Sequence, residues 1–295
     1  MDVSGGVETS AAEQLTGPEA HHGEGAFWDS RAERLLWVDM LAGAILGRSA
    51  DAVVHRYPGP SRVAAVIRHR ARGGFVIAAE HDLLLADEEL TSFEPPIPVI
   101  DDPAIRLNEG GVDPGGRFFI GSMAYDESPD AGSLSRIDSD HSVHVVLPAV
   151  SISNGLQWSA DGRRAFYIDT PTDRVDVIDV APATGAWSNR RPHVRVEGTP
   201  GHPDGMAIDE EDGVWVALWG GSAVRHYDRD GVLRHEIALP ASRVTSCAFG
   251  GADRRTLFIT TSRLGLDDPA AEPEAGSVFA WEAPVAGAIL HAYAG

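Results

Sequence analysis

The chain has one cysteine, Cys247, in 295 residues, which excludes an internal disulfide and fits a reducing compartment. Set in Thr-Ser-Cys-Ala-Phe at the start of a strand, it reads as a buried structural thiol rather than a nucleophile. No apolar run approaches the roughly 18–20 residues of a membrane span. The N-terminal Met-Asp-Val-Ser-Gly-Gly lacks the cationic and apolar regions of a signal peptide, so the expected location is the cytoplasm. Basic residues are few: 24 Lys and Arg stand against 44 Asp and Glu, a net charge of −20. That balance excludes the basic face that nucleic acid or an anionic membrane requires, and it leaves metal cations welcome. Gly-x-Ser-x-Gly elbows, Walker loops and dinucleotide fingerprints are missing, which removes the usual support for serine hydrolysis and nucleotide use. His21-His22-Gly-Glu24 lacks the second histidine of a zinc helix, and its histidines are expected in solvent or at a rim. Asp138-Ser-Asp-His-Ser142 begins like a Ca²⁺ loop, but Val143 replaces the glycine and Ala149 the bidentate glutamate, so it reads as a surface turn.

What is present is a repeat. Trp37, Val76, Phe119, Tyr167, Trp215 and Phe258 each centre an apolar strand, at steps of 39, 43, 48, 48 and 43 residues. A period of about 40–50 residues is that of a four-stranded propeller blade, and six occurrences predict an all-β, six-bladed β-propeller around a central channel. Acidic or Gly-rich corners precede most of these strands: Asp29 to Glu33, Asp113 to Gly116, Asp161-Gly162, Asp209 to Gly213 and Gly250 to Asp253. Arg174 to Val180 and Ala223 to Asp228 alternate with period 2, as further strands of a blade should. With 43% hydrophobic residues and no evident linker, residues 15–295 read as one domain. Residues 1–14, small and polar, read as a flexible N-terminal segment, disordered at least in part.

Glu24, Asn108, Asn154 and Asp204 precede the strand centres of blades 1, 3, 4 and 5 by 13, 11, 13 and 11 residues. The first strand of each blade lines the channel, so these four side chains share one level of it. Ser246 is the blade 6 equivalent, and blade 2 offers only Ala64-Ala65. Asn154-Gly155 and Asp204-Gly205 would each read as a turn if met alone, but their phase with the repeat argues for a site. Two carboxylates facing each other across a narrow channel call for a cation. Ca²⁺, Mg²⁺ and Mn²⁺ suit the oxygen donors, and Zn²⁺ and Fe²⁺ are also accepted by carboxylates.

The stretches Gly23 to Asp29, Arg106 to Met123, Ser151 to Trp158, Pro203 to Met206 and Thr245 to Gly251, with the terminal Tyr293-Ala-Gly295, resemble the SMP-30/gluconolactonase/regucalcin family over nearly the whole chain. The resemblance implies a divalent cation held by Glu24, Asn154 and Asp204. It implies that Arg106 and Asn108 hydrogen-bond the substrate and that Asp126, with Glu127 beside it, binds substrate hydroxyls. Animal regucalcins of the family carry Glu in place of Asp126 and Lys in place of Gly111, and both departures are expected to touch a substrate loop at residues 124–133.

The implied activity is hydrolysis of a sugar lactone, an aldonolactone such as gluconolactone, xylonolactone or arabinonolactone. A metal can polarise the carbonyl and activate water, so no serine or cysteine nucleophile is needed. Asp204 is expected to serve as general base as well as ligand. The rival expectations are a calcium-binding regulatory protein and an aryl-ester or organophosphate hydrolase using the same site.

Overall fold

A computed structural model of the chain describes residues 6–295. Six antiparallel sheets of four blade strands each stand in a ring, the inner strand of every blade flanked by the inner strands of the blades before and after it. The inner strands are Gly23–Asp29, Val66–His69, Ile105–Val112, Ser153–Trp158, His202–Ile208 and Val244–Gly250. The apolar strands of the repeat are the second strands, Arg34–Asp39, Phe75–Ala78, Phe118–Ala124, Arg164–Asp169, Val214–Trp219 and Thr256–Thr261. This is a six-bladed β-propeller.

The second strands are apolar on both faces because each blade is packed between two others. Leu36 and Val38 join Phe75, Val76 and Ile77 of blade 2, while Trp37, between them in sequence, packs with Phe258 and Val278 of blade 6. Truncating such a buried aromatic to alanine typically costs about 3–5 kcal/mol. The acidic corners work as the sequence suggests. Asp29 accepts from the N–H of Arg31, Asp113 from Arg117, Asp161 from Arg163, and Asp209 from Glu211 and Gly213. Every cationic side chain is arginine. Several link blade to blade: Arg117 donates to the Pro182 carbonyl, Arg136 to that of Thr184, and Arg164 to Asp212.

The expectation of a flexible N-terminal segment at residues 1–14 is not met at Glu8–Ala11 and Glu13–Gln14. Residues 1–5 lie outside the described residues, but Glu13–Gln14 forms the outermost strand of blade 6, antiparallel to Val278–Glu282. Glu8–Ala11 adds a fifth, parallel strand to blade 5 beside Leu233–Ala238. Composition concealed this because edge strands tolerate polar residues, and their stability comes from pairing an otherwise open sheet edge. The C-terminal segment crosses beneath the channel. Ala288 bonds Ile208 of blade 5, Tyr293 bonds His69 of blade 2, and Ala294 bonds Gly116 of blade 3, with the Tyr293 ring fully buried.

Candidate metal centre and substrate pocket

The polar residues of the repeat sit at β-bulges in the inner strands. In blade 1 the register jumps between Glu24 and Phe27, in blade 3 between Leu107 and Gly110, in blade 4 between Asn154 and Leu156, and in blade 5 between Pro203 and Met206. Blade 6 has its jump between Val244 and Ser246, whereas the paired residues of blade 2, the blade with only alanines at this level, keep regular register. A bulge re-aims side chains out of the alternation of a strand. Glu24, Asn108, Asn154 and Asp204 are all buried, each 6% exposed.

Asn154-Gly155 and Asp204-Gly205 are therefore strand residues, not turns. Their glycines answer to crowding between inner strands: a Cβ on Gly155 would lie 2.6 Å from that of Met206, and one on Gly205 would lie 2.7 Å from the Thr245 carbonyl.

A hydrogen-bonded chain joins three blades. Arg106 Nη1 donates to Asn108 Oδ1 at 2.5 Å and to the Leu107 carbonyl at 3.2 Å. Asn108 Nδ2 donates to the Ser153 carbonyl at 2.8 Å and to Asn154 Oδ1 at 3.2 Å. Asn154 Nδ2 donates to Thr170 Oγ1 at 2.8 Å, and that hydroxyl donates to the Pro203 carbonyl at 2.8 Å, one residue before Asp204. Thr170 lies on the short 3₁₀ turn Thr170–Thr172 that follows the second strand of blade 4. Blade 1 carries the matching turn Met40–Ala42, and Asp39 there accepts from the N–H groups of His21 and His22 as Asp169 does from Ser151 and Ile152.

Burial raises the carboxyl of Glu24 well above its ordinary range, and the charges of Asp204 and Glu109 raise it further. Asp204 is raised for the same reasons, burial first and Glu109 next, with Arg106 opposing. Burial lowers the Arg106 guanidinium, against the holding charge of Glu24. Glu109 is raised by burial and partly compensated by Arg68, which reaches it at 3.3 Å. This second polar layer, immediately below the first, escaped the sequence reading, although Glu109 adjoins Asn108 in the same bulge.

His22 escaped it too. His21 is exposed, as expected, but His22 is 5% exposed, with Nδ1 2.8 Å from Ser262 Oγ and Nε2 4.0 Å from Glu24 Oε1. Burial and then Arg106 push its imidazole down to about 3, so it is neutral. Its spacing of two from Glu24 in a strand was the available signal.

Asp126 is exposed, and its carboxylate accepts from the Ser128 N–H at 3.0 Å. Glu127 acts electrostatically on Arg106. Gly111 is not at the substrate loop. It faces Trp158 and the Leu156 carbonyl lower in the channel, where a Cβ would lie 3.2 Å and 3.3 Å from them, because its strand has already run past the bulge.

The residues present suit a hard divalent cation. Two buried carboxylates of raised pKa face a common channel, and no side-chain hydrogen bond neutralises either among the described residues. Anchoring of Asn154 Nδ2 on Thr170 leaves its Oδ1 toward Asn108, whose Nδ2 donates to it at 3.2 Å. No three His, Cys, Asp or Glu side chains gather as a ligand group among the described residues.

Residues 22–263 match the family described as the SMP-30/Gluconolactonase/LRE-like region. The chain belongs to this family. It is 37% identical to regucalcin of Danio rerio over 262 residues, 87% of this chain and 89% of that protein. Bacillus subtilis (strain 168) YvrE, provisionally named a sugar lactone lactonase, is 32% identical over 263 residues, 87% of this chain and 89% of that protein. The crystal structure of a calcium-binding protein, regucalcin, from Agrobacterium tumefaciens superposes with a TM-score of 0.91 at 26% identity, covering 97% of this chain and 98% of that one. No helix among the described residues is long and apolar enough to cross a membrane.

Proposed function

We propose that this protein is a metal-dependent lactonase that opens a sugar lactone, an aldonolactone of the gluconolactone, xylonolactone or arabinonolactone type, to the sugar acid. The carrying observation is the pair of buried, electrostatically opposed carboxylates Glu24 and Asp204 at the same level as the buried, anchored amide of Asn154, on a chain of this family. These three side chains hold one divalent cation, drawn from Ca²⁺, Mg²⁺, Mn²⁺, Zn²⁺ or Fe²⁺. Such an ion supplies Lewis acidity at the lactone carbonyl and lowers the pKa of water. Asp204 takes the proton of the attacking water as a new carbon–oxygen bond forms and the ring ester bond breaks. The proton passes to the ring oxygen released from the ester, which becomes a hydroxyl, and the product leaves as the sugar acid.

Arg106 and Asn108 bind the lactone. All hydrogen bonds of Arg106 run from Nη1, so Nε and Nη2 have no protein partner among the described residues and are left as donors for the ligand. Asp126 accepts from the distal hydroxyls once released from Ser128. Groups built for hydroxyls reject substrates that lack them, since an unpaired buried group costs about 1–3 kcal/mol. That favours a sugar lactone over an aryl ester or organophosphate. A single buried cysteine and a net charge of −20 support a soluble cytoplasmic protein.

The test is acid release from a panel of sugar lactones in weak buffer, with chelator-treated protein and each ion added back, counted above the spontaneous rate. Metal-restored turnover of one lactone is expected. Tight metal binding without turnover of any lactone would replace this reading with a calcium-binding regulatory protein, which the regucalcin relatives make the second reading.

A further inference from the structure

Tyr125 stands at the mouth of the site, just beyond the second strand of blade 3, and is 42% exposed. Its ring is tied in place. Its hydroxyl donates to Glu80 Oε1 at 2.7 Å, and its backbone N–H to the Ala104 carbonyl at 3.0 Å. Glu80 is itself fixed by Arg62, whose Nε lies 2.8 Å and 2.7 Å from the two carboxylate oxygens. The same Arg62 guanidinium lies 5.7 Å from the Tyr125 ring centre. A bracket built from blade 2 thus holds an aromatic side chain of blade 3.

The ring is held beside the substrate arginine. The Arg106 guanidinium carbon lies 6.0 Å from the ring centre, within the range of a cation–π contact. A ligand that accepts from the unbonded Nε or Nη2 of Arg106 is within reach of the exposed part of Tyr125. The phenolic hydroxyl is already committed to Glu80, so what the ligand meets is carbon. Sugar lactones have this complementarity, with hydroxyls around the rim of the ring and C–H groups on its faces.

We infer that Tyr125 is a specificity-determining wall of the substrate site, held by the Arg62–Glu80 bracket so that its ring packs on the face of a lactone gripped by Arg106. This rests on the lactonase reading. The segment Met123 to Asp126 does not by itself encode this arrangement, because the bracket comes from residues about 45 and 63 positions upstream.

Tyr125→Ala, Tyr125→Phe and Glu80→Ala, with thermal melts to confirm folding, separate the alternatives. In the metal-loaded protein Tyr125→Ala is expected to raise KM for the preferred sugar lactone about tenfold with kcat within about twofold, the size of one lost aromatic packing contact. Tyr125→Phe should stay within about threefold of wild type, and Glu80→Ala should fall between. An unchanged KM in Tyr125→Ala, with wild-type turnover established, overturns the role of Tyr125 alone. Equal damage from Tyr125→Phe and Tyr125→Ala also overturns it, because the hydroxyl would then be the binding group. No turnover of any lactone by the wild type overturns the lactonase reading and this substrate assignment with it.

Discussion

Thr170→Val is the most informative single substitution, because it touches neither a carboxylate nor the substrate. Thr170 Oγ1 accepts from Asn154 Nδ2 and donates to the Pro203 carbonyl, both at 2.8 Å. Valine keeps the shape and removes both bonds, leaving one donor and one acceptor without protein partners. Full burial of each would cost about 1–3 kcal/mol. Thr170 is only half-buried, so water can reach part of the gap and the sum should be about 1–2 kcal/mol. In a domain of this size that lowers Tm by about 2–4 °C per kcal/mol. The larger effect should be on the cation. With Nδ2 released, the Asn154 amide can rotate, and loss of such an orienting partner typically weakens metal binding about 10–100-fold. Calorimetric titration of chelator-treated protein should show about a tenfold higher metal Kd, and Thr170→Ser should restore most of it. A Thr170→Val protein that melts lower but binds metal as tightly as wild type would refute the claim that this chain of bonds orients a ligand.

Asp204→Ala should reduce lactone hydrolysis at least about a hundredfold while leaving circular dichroism and the melting transition cooperative; near-wild-type turnover would remove Asp204 from the chemistry. Because the folded-state pKa values of Glu24 and Asp204 are raised, their contribution to metal-free stability is present below the ordinary carboxylate range and lost as pH rises through the folded values. Chelator-treated protein should therefore lose Tm on going from pH 5 toward pH 8 relative to metal-loaded protein, and metal addition should release protons in an unbuffered titration. Burial opposes ionisation of Asp29, but hydrogen bonds from His69 and Arg34 outweigh it and hold the carboxyl at about 2. That group's roughly 2 kcal/mol is present above the unfolded value and lost as the pH falls from about 4 to about 2, so Asp29→Asn should flatten the acid limb of a stability profile there.

Much of the architecture was legible because a propeller repeats locally. Trp37, Phe119, Tyr167 and Trp215 mark second strands since a strand packed on both faces has to be apolar throughout, and that signal needs no knowledge of its neighbours. The phase of Glu24, Asn108, Asn154 and Asp204 with those strands likewise follows from the repeat. Residues 8–14 were misread because a polar edge strand carries no periodic signature and owes its order to blades 5 and 6, more than 200 residues away.

The sequence by itself determined that this chain builds six blades and carries four polar side chains to one level of a channel. Only the tertiary structure decided how those side chains are held. Thr170 anchors Asn154 from a turn, Glu109 and Arg68 charge the layer below, His22 lies buried against Ser262, and Glu80 and Arg62 fix Tyr125. Each of these contacts but the first joins two blades and brings together residues with no fixed spacing along the chain, and the one between His22 and Ser262, of blades 1 and 6, depends on closure of the ring.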